Sequence, residues 1–355
     1  MRRGLALTLT VAMLGSLLAG CGSSGGGSAP KADATAAAAP AGGGTEEVTT
    51  PDKVLKFTDQ NAEDSPAGMW EQKFADLVKE YTKGHIEVEL YFNNTLCGYD
   101  IQPLQAGICD FIQYVPSSAG DLDSRLGAFD APYIYRDADH RLAVFDPFNS
   151  EPLKVINEAL KDDGVMLLSS FNSGYRQITC NFPIRNLSDM KGAKIRVVPS
   201  DLYQQLFTAF GAAATPMAFS EVPIALITNV IDGQENPYSV IVSSALYEVQ
   251  KYCMETNHLP TNHGLWMNRN TYESLTPEQQ EAVLKAAYDA SAYMDKYILD
   301  KVEEYKKICE DNGMEIIDAE NGLDIDGFKA AAENVYDYFA EDWGDMPDLI
   351  RAVQP

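Results

Sequence analysis

The sequence predicts an α/β protein of about two domains, and three observations carry that expectation. At 355 residues the chain is longer than one hydrophobic core ordinarily organises. Beyond residue 50, short apolar or alternating runs trade places with stretches of helical periodicity, the order that lays helices over mostly parallel sheets. A further stretch, from Thr276, meets no helix breaker before Gly313. About 35 residues at 1.5 Å rise make a helix of roughly 50 Å, too long for one ordinary domain, so it is expected to cross both.

Val54 to Phe57 reads as a strand and Ser65-Pro66 as a helix start, a hydroxyl cap followed by proline at the first helical position. Trp70, Phe74, Leu77, Val78 and Tyr81 recur at helical spacing, and Gly84 stands where a C-terminal cap is expected. Ile86, Val88 and Leu90 alternate with Glu87 and Glu89 as a half-buried strand; a helical stretch to Gly107 then precedes an apolar strand, Ile108 to Val115. Val165 to Phe171, Arg176 to Cys180 and Ile195 to Val198 continue the strands, Leu202 to Phe210 is a helix closed by Gly211, and a second domain is expected to start near Gly174. Val222 to Val230 is amphipathic, part of a core helix that opens near Ser220 with Glu221 as its solvated first-turn acid. The polar run Ile231 to Pro237 by itself reads as a turn. Thr276-Pro277-Glu278-Gln279 forms a capping box at the head of the long helix.

The first 20 residues have the layout of a secretory signal, with Arg2 and Arg3 before an apolar run and Leu18-Ala19-Gly20 leading into Cys21. That segment resembles a bacterial lipobox, which makes Cys21 the expected lipidated first residue of the mature chain and residues 21–50 a linker; an ordinary signal peptide is the alternative. Gly22 to Gly44 holds almost only Gly, Ser, Ala and Pro, the composition of a flexible tether. The apolar run Leu5 to Ala19 is short of the roughly 20 residues a membrane-spanning helix needs, so the folded part is expected to be soluble. Loss of residues 1–20 removes two arginines and leaves 25 basic against 52 acidic residues, a net charge of −27. Such a surface repels nucleic acid, and no nucleic-acid partner is expected. Past Cys21 five cysteines remain, an odd number with no Cys-x-x-Cys spacing, read as buried small apolar residues.

Signatures of catalysis are mostly absent: there is no Gly-x-Ser-x-Gly elbow, no phosphate loop and no His-Glu-x-x-His. The four histidines are scattered and read as structural, with no metal expected. Two arginines stand out. Alternation puts Arg176 on the face of Ile178 and Cys180, and Arg196 interrupts the apolar strand around Ile195 and Val197. Each must meet an anion there, since an unpaired buried charge is very costly. An internal acid is the simpler partner. Asn236, held extended by Pro237, is placed either by turn chemistry or to face a cleft.

Taken together, Gly174-Tyr175-Arg176, Asp189 to Val197, Thr215 to Val222, Ile231 to Pro237 and Tyr247 to Tyr252 resemble the solute-binding proteins of tripartite ATP-independent periplasmic (TRAP) transporters, of the dicarboxylate-binding-subunit type. The likeness covers nearly the whole chain past the tether. It implies an α/β, two-domain periplasmic-binding-protein-like fold with a central ligand cleft and a long helix spanning both domains. Domain I would take residues 51–173 and 262–300, domain II residues 174–261 and 301–330, and residues 331–355 a C-terminal helical segment. It implies a non-catalytic protein without cofactor that closes on a small organic acid. Arg196 would make a two-pronged salt bridge to the ligand carboxylate, Arg176 and Asn236 would assist, and Phe219 would pack on the ligand.

Two departures bear on specificity. Phe171 stands where a tryptophan is common, and Cys97-Gly98-Tyr99-Asp100 replaces a more usual Gly-Gly-x-x-Glu type segment. The far end of the ligand would meet Phe171 and Tyr99, and the acid is left unnamed. The implied partners are TRAP-type permease subunits, with membrane attachment through Cys21. Competing functions are a sensor module for a membrane receptor and the binding protein of an ATP-driven importer.

Overall fold

The structure is a computed structural model that describes residues 50–355, so the signal, Cys21 and the tether lie outside the described residues. Among the described residues eleven strands form two sheets. The first, in the order β2-β1-β3-β10-β4, comprises β1 (Lys53–Thr58), β2 (Ile86–Tyr91), β3 (Phe111–Tyr114), β4 (Val165–Asn172) and β10 (Asn262–Asn268). The second, in the order β11-β9-β5-β8-β6-β7, comprises β5 (Arg176–Cys180), β6 (Lys194–Val197), β7 (Ala213–Pro216), β8 (Gly233–Pro237), β9 (Tyr252–Met254) and β11 (Glu315–Ile317).

Each sheet is parallel except for one strand. β10 runs against β3 and β4 in the first, and β5 runs against β8 and β9 in the second. These two are the strands the chain enters directly after crossing between the sheets. β4 leaves the first sheet at the carboxyl edge of its parallel strands, and only Ser173, Gly174 and Tyr175 separate Asn172 from Arg176. Four residues of extended chain reach at most about 14 Å, so β5 must start at the nearby edge of the second sheet and run the opposite way. The return from Met254 through residues 255–261 to Asn262 imposes the same reversal on β10. The carboxyl edges of the two sheets therefore adjoin, the place where open α/β sheets take their ligands.

Gly174 has φ +121° at the first crossing, and a Cβ there would sit 3.1 Å from the Pro237 Cβ, so only glycine fits without strain. Behind this crossing a cavity of about 230 Å³ is lined by Gly174, Tyr175, Ile298, Leu299 and Val302, among others.

The long helix runs Pro277–Asp311 with the expected capping box: Gln279 N–H donates to Thr276 Oγ1 at 3.3 Å, and Thr276 N–H donates to Gln279 Oε1 at 3.1 Å. Its first half buries Val283, Ala287, Ala290 and Met294 against the helix Pro66–Tyr81 and the first sheet. Near its end Cys309 joins the cluster beneath the second sheet with Cys253 and Ile316. One helix thus contributes to two of the three apolar clusters among the described residues, and the third, the largest, joins residues of both sheets. No helix among the described residues is long and apolar enough to cross a membrane. The five described cysteines are free, and all but the half-buried Cys97 are buried.

Three expectations are corrected. Gly233–Pro237 is no turn but a fully buried strand between β5 and β6, because its polar side chains are hydrogen-bonded inside the protein. The helix read to Val230 ends at Ile227 and is only partly core: Val222 and Leu226 are buried, whereas Ile224 is 65% and Ile227 59% exposed. The helical stretch before Gly107 is the short Gln102–Gln105.

Candidate binding cleft

β6 and β8 are parallel neighbours, and β5 runs against β8, so the end of β6, the end of β8 and the start of β5 meet at one edge. That geometry gathers Arg196, Asn236 and Arg176. The turn that follows β7 adds Phe219, and all four come from separate stretches of chain.

Arg196 is 3% exposed, and its Nε and Nη2 donate to the Met217 carbonyl at 2.9 and 2.8 Å. Its guanidinium carbon lies 5.6 Å from the Phe219 ring centroid. Among the described residues it has no carboxylate within salt-bridge distance, and burial pushes its pKa down. A neutral carbonyl fixes the orientation of the planar fork and supplies no countercharge, and the Glu235 carboxylate acts on it only from beyond salt-bridge distance. Arg176 is different. It forms a buried ion pair with Glu235, whose carboxylate takes Nε and, at 3.0 Å, Nη2. Nη2 also donates to the Glu235 carbonyl and to Asn236 Oδ1, each at 2.9 Å. For Arg176 the internal partner is the one the structure holds.

Burial alone would raise the Glu235 carboxyl, but the Arg176 charge and the His258 ring hold it below its ordinary range. His258 Nε2 stands 3.4 Å from Glu235 Oε2, and its Nδ1 stands 2.8 Å from Thr256 Oγ1. Burial lowers the His258 pKa despite that carboxylate. Asn236 is occupied at both ends, since Nδ2 donates to Gln234 Oε1 at 2.5 Å and Gln234 Nε2 donates on to Thr179 Oγ1 at 2.9 Å. The polar strand β8 is buried at no cost in orphaned groups.

Tyr99 and Phe171 stand at the facing edge of the first sheet. Tyr99 Oη accepts from Val115 N–H at 3.2 Å, and its ring lies 4.7 Å from that of Tyr114. Phe171 is fully buried, 4.8 Å from the Trp70 ring and stacked at 4.6 Å on His263. The surface at that position is therefore the half-buried imidazole of His263, whose Nε2 stands 3.0 Å from Ser173 Oγ.

The structure brings Arg196, Arg176, Asn236 and Phe219 to one edge and Tyr99 and Phe171 to the other. Sequence reasoning missed Glu235 as the partner of Arg176; His258 and His263, read as structural, sit beside Glu235 and on the Phe171 ring. The signal for Glu235 was present: strand alternation through Gly233–Pro237 would have set it on the face of Arg176. Among the described residues no cluster of metal-ligating side chains occurs.

A family model described as bacterial extracellular solute-binding protein, family 7 (DctP) matches residues 57–342. The 2,3-diketo-L-gulonate-binding periplasmic protein YiaO of Escherichia coli is 29% identical over 303 residues, 84% of this chain and 90% of the relative. The C4-dicarboxylate-binding periplasmic protein DctP of Shewanella loihica is 32% identical over 262 residues, 73% of this chain and 76% of that one. A solved TRAP periplasmic solute-binding protein from Xanthobacter autotrophicus with bound β-D-galacturonate superposes with a TM-score of 0.71 at 29% identity, covering 84% of this chain and all of the other.

Proposed function

The chain belongs to bacterial extracellular solute-binding protein family 7, the DctP family of TRAP solute-binding proteins, and from that premise we propose that it is a lipoprotein that captures a small organic acid by its carboxylate and delivers it to a TRAP-type permease. The family is one of transport binding proteins, and its members act outside the cytoplasm.

The observation that carries the ligand reading is the contrast between two buried arginines. Arg176 is neutralised by Glu235, whereas Arg196 has only a carbonyl for a partner and sits where the edges of the two sheets adjoin. A guanidinium so placed can take one anion, and the Nη1–Nη2 edge of its planar fork, turned from Met217, fits a carboxylate in two-pronged fashion. Asn236 and Arg176 hold the floor of the site in shape, and Phe219, 36% exposed, offers its ring to the ligand's apolar side.

Solved relatives hold bound acids, among them β-D-galacturonate and L-galactonate. Mass spectrometry of small molecules released from the purified protein tests the proposal: a stoichiometric carboxylic acid is the expected result. A retained ligand with no anionic group would overturn it.

A further inference from the structure

Ser173 to Tyr175, residues 255–261 and the long helix each cross between the sheets, and side chains fasten these crossings to one another at two levels. Asn172, the last residue of β4, centres the first level. Its Oδ1 accepts from Gly174 N–H at 3.1 Å on the first crossing and from Thr261 N–H at 2.9 Å on the second. Its own N–H donates to Asp295 Oδ1 on the long helix at 2.7 Å. Asp295 is 8% exposed and is held in turn by Arg141, whose Nη1 donates to Oδ2 at 2.6 Å. Arg141 Nε and Nη2 reach into the first sheet, to Asn262 Oδ1 at 2.8 Å and Ser170 Oγ at 3.1 Å. One carboxamide and one carboxylate thus bind all three crossings to the first sheet.

The second level belongs to the second sheet. Glu255, directly past β9, takes both Lys306 Nζ of the long helix, at 2.9 Å, and Tyr238 Oη, at 2.8 Å, on its Oε1. Lys306 also stands 4.0 Å from Glu303 of its own helix. Asn257 and Gln177 exchange hydrogen bonds: Asn257 N–H donates to Gln177 Oε1 at 3.0 Å, and Gln177 Nε2 donates to Asn257 Oδ1 at 2.6 Å, which joins the second crossing to β5. Asn172, Asp295, Glu255 and Lys306 all line the cavity behind Gly174, whereas Arg196 and Phe219 do not. Between the two levels support is thin. Of helix residues 296–305 only Ile298 is buried, and Leu299 is exposed.

Resting on ligand capture at Arg196, we propose that Asn172 with Asp295, and Glu255 with Lys306, are positioning residues for that capture. They fasten the three crossings into one unit at each sheet, confine bending to the short stretches between the levels, and so hold the two edges in the alignment the ligand needs. With one level released, each crossing bends by itself and the open ensemble widens. A smaller part of it can then take up ligand, and apparent affinity falls in proportion.

Hydrogen exchange of the ligand-free full chain, read by mass spectrometry, tests the fastening without any ligand. In Asn172→Ala and in Lys306→Met, amides of residues 173–175, 255–261 and 296–305 should exchange together about fivefold or more faster, while residues 277–294 keep wild-type rates. Lys306→Arg keeps the ion pair with Glu255 and should restore slow exchange in all three stretches. A purely local role predicts faster exchange only in the segment that carries the substitution. That pattern overturns the inference, as do unmoved rates in both variants. Lys306 is partly exposed, so its variant decides the matter where Asn172→Ala fails to fold. Calorimetric titration with D-galacturonate, L-galactonate and succinate is the second arm. Whichever of them binds wild type should bind both variants about tenfold more weakly and bind Lys306→Arg as wild type. Undiminished affinity in both variants overturns the positioning role. If Arg196→Ala binds the same acid as wild type does, the carboxylate reading falls, and the exchange rates still judge the crossings.

Discussion

Arg176 and Arg196 reach the same edge of one sheet, and only Arg176 carries its own carboxylate, that of Glu235. Burial lowers the Arg196 pKa and the Arg176 charge adds to that, against the Glu235 carboxylate, which acts the other way. An anion at Arg196 relieves both effects.

The arginines should therefore respond differently to truncation. Arg196→Ala removes one partner of a pair that forms only with ligand, so affinity should fall by about 2 to 5 kcal/mol, roughly 30-fold to several thousandfold. Its ligand-free unfolding midpoint should hold or rise. Arg196→Lys keeps the charge without the fork and should recover part of the affinity. Arg176→Ala leaves Glu235 buried with only the His258 ring for a partner and should destabilise the ligand-free protein by about 3 to 5 kcal/mol. Titration paired with thermal unfolding checks both, and a dissociation constant for Arg196→Ala within about threefold of wild type rejects this residue as the clamp.

Glu71 sets a pH dependence of stability. Burial first, and then Asp59, raise its carboxyl well above the ordinary value of 4.5. A carboxyl raised on folding contributes stability that is complete below its unfolded pKa and is lost as pH rises through its folded one. Glu71→Gln should unfold at the same temperature as wild type near pH 4 and at a higher one at pH 8. Equal midpoints at pH 8 would show that Glu71 ionises there without penalty.

Ligand should draw the sheet edges together. Small-angle scattering should give a smaller radius of gyration with saturating ligand than without. Unchanged profiles, with binding verified by calorimetry, would argue for a preformed rigid site.

The expected anchor is tested separately, because it lies outside the described residues. Intact-mass measurement of protein from membranes should show an acylated N-terminus at Cys21, and Cys21→Ala should release the protein into the soluble fraction. A mature N-terminus elsewhere, without acyl mass, would leave an ordinary secreted chain.

The long helix was legible because its start is written locally in Thr276 and Gln279 and nothing interrupts it before Gly313. An arginine inside an apolar strand was equally legible. Which of the two would find an internal partner was not, because the partner Glu235 lies in a segment whose Gly, Asn and Pro content imitates a turn. Burial there follows from side-chain hydrogen bonds between strands far apart in sequence, which hydropathy does not record. Gly233 shows the tightness of that packing: a Cβ on it would come within 2.2 Å of the Thr179 carbonyl oxygen. Glu71 was hidden for the opposite reason, as an acid beside Trp70 on a helix face whose other members are apolar.

The three passages of chain between the sheets have a kinematic consequence. Ser173 to Tyr175, residues 255–261 and the long helix each tie one sheet to the other, and two short ties hold adjoining edges. Ties set side by side favour rotation about the line that joins them over sliding, and the apolar cluster shared by the two sheets and the C-terminal helices that pack on both sides oppose that rotation. The cavity beside Gly174 leaves the pivot unclamped from the helix that backs it. If the proposed capture at Arg196 closes the cleft, binding and the relative motion of the two sheets share a single coordinate, and a bulky side chain wedged at Gly174 is expected to stall that motion without touching the ligand.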